Sequence, residues 1–464
     1  MKSARRQKSL APVSRPSPAE LRAIGKRLRE KCPRSSHADW KAPVNRPNPL
    51  RLLEQSNKGR IPELIPIRFG RMLRTPFTFY RGAALNMAAD LARTPAAGLR
   101  VQACGDCHLL NFGVYATPER RLVFDINDLD ETLPAPWEWD VKRLAASVVL
   151  ACRNNGFSKS DCRDAVLSCV RAYRERMAEY SRMTVLEVWY ASIDVEKMIT
   201  KLKDKEASRR IHKRLGAARA RNVLEHDFPK LAAAAGRAPT IKDNPPLIYH
   251  PTGEGREDLL TRSRVAWPGY RESLPDDRRA LFDRYEPKDI AIKVVGIGSV
   301  GMYCCVMLLM ASERDPLFLQ VKEARASVLE AYAGKSIYPN HGQRVVNGYH
   351  LLQSASDIFL GWTRGVIGRD YYFRQLRDAK ISAIPEDWDL ATLKEFGKLC
   401  AWALARAHAR SGDPARIAGY MGSNTTFDDA VCEFAVEYAD QNLRDYRSFA
   451  KAIREGRIPV TSED

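Results

Sequence analysis

Val101–Glu131 reads VQACGDCHLLNFGVYATPERRLVFDINDLDE. It sets Asp106, His108 and Asn111 ahead of a short apolar run, and Asp125, Asn127, Asp128, Asp130 and Glu131 behind it. LRVQAC reads as a strand, GDCHLLN as a loop, and RRLVFDI as a second strand leading into the polar turn NDLDE. Carboxylates and amides gathered this way can ligate a hard cation through oxygen, and can orient or deprotonate a hydroxyl. The stretch is therefore expected to be half of a phosphoryl-transfer site. Asp106 would handle the acceptor hydroxyl. Asn111 would hold Mg²⁺ with Asp125, with Asp128, or with both. Asp and Asn are also ordinary turn residues, and His108 fits a core histidine bonded to backbone; the density of such groups favours a site.

A second block, KVVGIGSVGMYCCV, carries Gly296, Gly298 and Gly301 in G-x-G-x-x-G spacing. Glycines let backbone N–H groups approach phosphates closely. One reading is a dinucleotide site, with a helix opening at the third glycine and Glu323 on a ribose. The other is a kinase-type loop between two antiparallel strands, with Lys322 of FLQVKEA on the phosphates. YCCVMLLM is strand-like as readily as helix-like, and the separate Asp/Asn centre favours the second. Lys322 needs an acidic partner, for which Glu330 is the first candidate and Glu323 the second. YYFRQLRD is expected to be a strand whose end, around Gln375, bonds a base through its backbone.

The 464 residues are enough for more than one core. The formal charge of +19 favours anionic partners, nucleotides and nucleic acid among them, without choosing between them. The basic stretch IHKRLGAARARNVLEHDF lacks aromatic stacking residues, so a solvated face is its plainer role. CGDCH matches a haem-attachment spacing, but no export signal accompanies it. As zinc ligands Cys104 and Cys107 lack a clear second pair. No uninterrupted apolar run approaches a membrane span, so a reduced, cytoplasmic protein is expected.

The expected organisation has five parts. Residues 1–60 form a basic N-terminal arm, 61–197 a catalytic core with the metal centre, and 198–285 an insertion or bridge. Residues 286–380 form a nucleotide-binding small lobe, and 381–464 are helices completing the first lobe.

FYRGAALNMAADLA, ACGDCHLLNFGVY, VFDINDLDETLPAPWEWDVKRLAAS and QVKEARASV together resemble a bacterial family of unknown function, DUF2252, over most of residues 50–450. The resemblance implies an α+β, two-lobed fold near protein kinases and aminoglycoside phosphotransferases, binding ATP and Mg²⁺. In such proteins a loop like H-G-D-x-x-x-x-N carries the catalytic Asp and a metal-binding Asn. Cys104–Asn111 matches it, with Cys104 where His is usual. Phe124–Asp125–Ile126 or Asp128–Leu129–Asp130 then matches the metal aspartate, and Asp140 a structural one. ALARAHA at 403–409 resembles the helix before that loop. The order is reversed, catalytic half before glycine half, which implies a circular permutation with a helical C-terminal region. An inactive nucleotide binder, an oxidoreductase and a nucleic-acid-binding protein are the rival expectations.

Overall fold

The structure is a computed structural model describing residues 16–199, 231–233, 239–294, 296–366, 368–376 and 388–461. The basic stretch at 211–228 lies outside them. Short strands frame the acidic stretch: β1 (Arg100–Ala103) pairs with β4 (Leu133–Pro136), and β2 (Phe112–Ala116) with β3 (Leu122–Ile126). The small strands β5 (Ala232–Ala233) and β6 (Thr240–Ile241) also pair. Later in the chain comes a six-stranded antiparallel sheet, made of β7 (Ile248–Tyr249), β8 (Glu286–Lys293), β9 (Cys304–Ser312), β10 (Asp315–Ala324), β11 (Gly361–Arg364) and β12 (Asp370–Gln375). Its order is β11-β12-β10-β9-β8-β7.

Period-two alternation divides β10 between two faces. Leu317, Leu319 and Val321 join Ile290, Ile292, Met307 and Phe373 in one apolar cluster. The helix Glu254–Ser273 covers this face, and its Tyr270 stacks on Phe373 at 3.9 Å between ring centroids. Phe318, Gln320 and Lys322 point the other way. There Ala291, Val306 and Leu308 lie around Phe318, and the polar pair looks towards the acidic stretch.

Helices make the rest. Trp137–Asn154 is buried at every residue from Trp137 to Cys152: its second half, LAASVVLAC, is almost wholly apolar, and its first half carries the buried charges Glu138, Asp140, Lys142 and Arg143. Lys159–Tyr180 starts at Ser158, whose hydroxyl accepts the Asp161 N–H while Asp161 bonds back, a capping box. Leu390–Ser411 and Thr426–Arg454, which come after the sheet in sequence, pack on these two helices in one core containing Trp137, Val149, Tyr173, Leu404 and Phe434. The chain thus builds part of the helical body, then the sheet, then completes the body. The described part of the N-terminal segment lies against that body: Arg46 is clamped by Asp90 at 2.7 Å and Asp445 at 2.6 Å. All ten cysteines are buried and unbridged.

The Trp137 helix carries an acid whose titration should be visible. Burial pushes Glu138 up to about 7, outweighing the Ala97 N–H that it accepts at 2.7 Å. Burial also pulls Lys142 down to about 8, and its ammonium rests 4.6 Å from the Phe434 ring centroid. A carboxyl raised on folding gives stability that is full below its unfolded value, about 4.5, and is lost as pH rises through about 7. Glu138→Gln should therefore flatten the decline in denaturation midpoint between pH ~5 and ~7. An unchanged slope would contradict the assignment.

Candidate active site between the sheet and the helical body

The CGDCHLLN loop is held from behind. Gly105 has φ +82°, and a Cβ there would come 2.3 Å from the Glu131 carbonyl oxygen, so only glycine fits. Asp140, from the Trp137 helix, accepts the N–H of Cys104 at 2.6 Å and of Gly105 at 3.1 Å. His408 Nε2 lies 3.2 Å from the same carboxylate. Cys104, Cys107 and Asp140 gather their ligand-type atoms within 4.8 Å. Burial holds the Cys104 thiol well above its usual range and pushes Cys107 up to about 12. With Asp140 engaged by backbone, this cluster anchors the loop.

The anchored loop presents Asp106 and Asn111. One Asp106 oxygen takes both Arg143 Nε, at 2.7 Å, and Arg143 Nη2. The other lies 3.9 Å from His108 Nε2, and the carboxylate keeps 19% of its surface exposed. Burial, with Arg81 and Arg143 adding to it, holds His108 well below the usual histidine range, so it stays neutral. Asn111 donates to the Asp106 carbonyl at 2.7 Å, and its own backbone carbonyl accepts the Asn127 N–H at 2.7 Å. That second bond ties the loop to the NDLDE turn.

Across the gap stands Lys322. Its ammonium lies 2.5 Å from Asp130 and 3.7 Å from Asp128. Tyr372 donates to the other Asp130 oxygen at 2.5 Å. Burial alone would lower the Lys322 pKa; Asp128 and Asp130 overcome it and hold the lysine above its ordinary value. Burial would likewise raise Asp130, but Lys322 and Tyr372 bring it down to about 2. The turn is fixed by Arg344, which donates to the carbonyls of Thr132 at 2.5 Å and Asp130 at 2.9 Å. Glu131, pushed up to about 7 by burial, accepts the Val328 N–H at 2.7 Å.

Two cavities meet here. One of about 740 Å³ is lined by Asn111, Asp128, Gly296, Ser299, Lys322 and Arg374 among others. The second, about 400 Å³, is lined by Asp106, His108, Asp130, Glu131 and Gly298, and shares Asn111, Asp128, Gly296 and Ser299 with the first. The glycine loop forms their common roof. Arg60 and Ile61 bond the carbonyls of Val300 and Gly301, and Arg71 that of Gly296.

The structure gathers Asp106, Asn111, Asp128, Lys322, Gly296, Gly298, Glu330 and Gln375 around these cavities and leaves Asp125 and Gly301 out. Asp125 lies outside: it is fully buried, bonded to Arg406 at 2.6 Å and to the Ser354 N–H and hydroxyl at 2.8 and 2.9 Å. Its oxygens are spent on holding β3 to the Leu390–Ser411 helix. Glu330 is not the partner of Lys322; it accepts the Ser327 N–H at 3.3 Å and lies 3.8 Å from His341. Glu323 is excluded by strand alternation and bonds Tyr303 N–H, Arg325 and Arg369. Gln375 lines the larger cavity, but its N–H is taken by the Asp357 carboxylate. Gly301 turns at φ +82° against Arg60 rather than into a cavity. The chain runs on from Gly301 into β9, antiparallel to β8, where a dinucleotide unit needs a helix.

Local sequence does not single out Asp130, Tyr372, Arg143 or Arg374 for these contacts. Asp130 is visible in the acidic run, two residues from Asp128. Arg143 stands at i+3 from Asp140, on the helix behind the loop. Tyr372 and Arg374 carry no local signal, because they act only once β12 pairs with β10.

These features define a mixed α+β protein whose polar site lies between an antiparallel sheet and a helical body. Residues 60–452 match the family described as an uncharacterized protein conserved in bacteria, DUF2252, and the chain belongs to that family. No curated protein and no solved structure matches it. Among the described residues, no helix is long and apolar enough to cross a membrane.

Proposed function

We propose that this protein is a magnesium-dependent phosphotransferase of permuted, protein-kinase-like architecture. It would use a nucleoside triphosphate, ATP being the one that the resemblance implies, on a hydroxyl-bearing small molecule or protein. The observation that carries this reading is the meeting of Lys322 with Asp128 and Asp130 under the glycine loop. A cation from one unit facing carboxylates from the other, with an asparagine amide beside them, is what a phosphate–metal cluster requires. The sheet order β8-β9-β10-β12-β11, with the helix His341–Leu352 between β10 and β11, supports the same likeness.

The donor set fits Mg²⁺. Asn111 uses its amide nitrogen internally, at Asp106, and its side-chain oxygen takes no hydrogen bond from the described residues. Asp128 lines both cavities and is 34% exposed. Oxygen ligands of this kind suit a hard divalent ion, and Asp125, with its oxygens already bonded, does not. Bound there, the ion would neutralise phosphate charge. Lys322 would bind phosphate oxygens, and the loop from Gly296 to Ser299 would exclude water from above them. Asp106, in the smaller cavity, would accept the hydrogen of the acceptor hydroxyl, its orientation fixed by Arg143.

Phosphorus NMR of nucleotide incubated with the protein tests this reading. Loss of the γ-phosphate should require Mg²⁺ and should vanish in Asp128→Asn. Turnover unaffected by a chelator would contradict it. A nucleotide-binding module without turnover is the second reading, favoured by Cys104 at the position where histidine is usual. It predicts binding with the γ-phosphate left intact.

A further inference from the structure

The larger cavity carries a feature that phosphate chemistry does not use. From Lys322, one pleat repeat along β10, roughly 7 Å, leads to Gln320. The register sets Lys322 opposite Tyr372 and Gln320 opposite Arg374. The wall beyond the lysine is therefore an amide and a guanidinium side by side, Arg374 Nε bonding Gln320 Oε1 at 2.9 Å. Arg374 Nη1 donates to the Asn127 carbonyl at 3.1 Å and the Tyr349 hydroxyl at 3.0 Å. Its Nη2 takes no partner among the described residues, and both Gln320 and Arg374 line the cavity. The same lining mixes apolar side chains, Ile358 and Leu376 among them, with the charged Arg314, Asp315 and Asp357.

A nucleotide whose phosphates lie at Lys322 must extend its base away from the carboxylates. Along this wall the base meets the Arg374 donor and apolar side chains. The apolar side chains suit any purine face; the donor does not. The 6-amino group of adenine would set donor against donor. The O6 of a 6-oxopurine is an acceptor and matches Nη2, the one guanidinium nitrogen that Gln320, Asn127 and Tyr349 leave over. Tyr349, Tyr372, Asp128 and Asp130 outweigh burial and keep the guanidinium charged, so it donates at all accessible pH.

We infer that the site selects a 6-oxopurine nucleotide, guanosine or inosine triphosphate, over adenosine triphosphate, with Arg374 as the specificity-determining residue. This inference rests on the proposed nucleotide-binding function and replaces its ATP with a guanine-type nucleotide.

The test is a calorimetric panel on the full chain with the Mg²⁺ complexes of GTP, ITP, ATP and 2,6-diaminopurine riboside triphosphate. GTP and ITP, which share O6, should bind at least about tenfold tighter than ATP and the diaminopurine nucleotide. Arg374→Met should weaken GTP and ITP and leave ATP within about twofold, closing the gap. The wild-type panel stands without the variant, should the variant fail to fold. ATP binding as tightly as GTP would overturn the inference while leaving the nucleotide site standing. So would the diaminopurine nucleotide tracking GTP, which would assign recognition to the 2-amino group. Equal weakening of all four nucleotides by Arg374→Met would assign the guanidinium to phosphate and overturn it too. No binding by any of the four would overturn both the inference and the nucleotide-binding function.

Discussion

Asp106→Asn is expected to cut phosphoryl transfer by about 10²–10⁴-fold while leaving nucleotide affinity within about twofold. Asparagine keeps the shape of the side chain and an oxygen for Arg143, but it cannot accept the proton or charge of a reacting hydroxyl. The separation of effects comes from the cavities. Asp106 lines the smaller one and is not on the wall of the larger one, where Lys322 and Arg374 stand. Alanine would be a poorer probe, because Arg143 is only 2% exposed and would lose its hydrogen-bond acceptor as well as the charge opposite it. Steady-state transfer assays combined with nucleotide titration check the prediction. A parallel loss of binding would place Asp106 on the nucleotide instead of the acceptor.

Asp125→Ala is expected to destabilise the fold by about 3–5 kcal/mol, the cost of leaving a buried charge unpaired. Both Asp125 and Arg406 have 0% side-chain exposure, and their 2.6 Å ion pair joins β3 to a helix 281 residues later in the chain. Among the described residues, Arg406 would keep only the Leu352 carbonyl as hydrogen-bond partner, at 2.6 Å. Chemical denaturation of the purified variant measures this directly. A variant of unchanged stability that had lost Mg²⁺ dependence would return Asp125 to the metal role.

The two aspartates show how far local sequence reaches. The strand–loop–strand pattern, the loop carrying Asp106 and Asn111, the lysine strand and its glycine turn are all legible, because alternation and turn residues are local signals. Asp125 and Asp128 stand three residues apart at the end of one strand, and each offers a carboxylate. Which one faces the cleft depends on what packs behind β3, and Arg406 is invisible from there. The expected partner of Lys322 fails for a related reason. Glu330 and Glu323 are near in sequence, whereas Asp130 arrives from the other half of the site. Alternation alone excludes Glu323, since adjacent strand residues face opposite ways. Arg374 needs the β10–β12 register, which no local pattern supplies.

Whether the sheet and the helical body together form one nucleotide site around Lys322 is tested most directly by calorimetry. Mg²⁺-GTP and Mg²⁺-ATP are titrated into the wild type and into Lys322→Ala, with unfolding transitions checking that the variant is folded. The expected result is binding to the wild type, weakened about 10–150-fold by the loss of one charge-assisted contact to phosphate. A wild type that binds neither nucleotide, or a folded Lys322→Ala that binds them equally well, would contradict it.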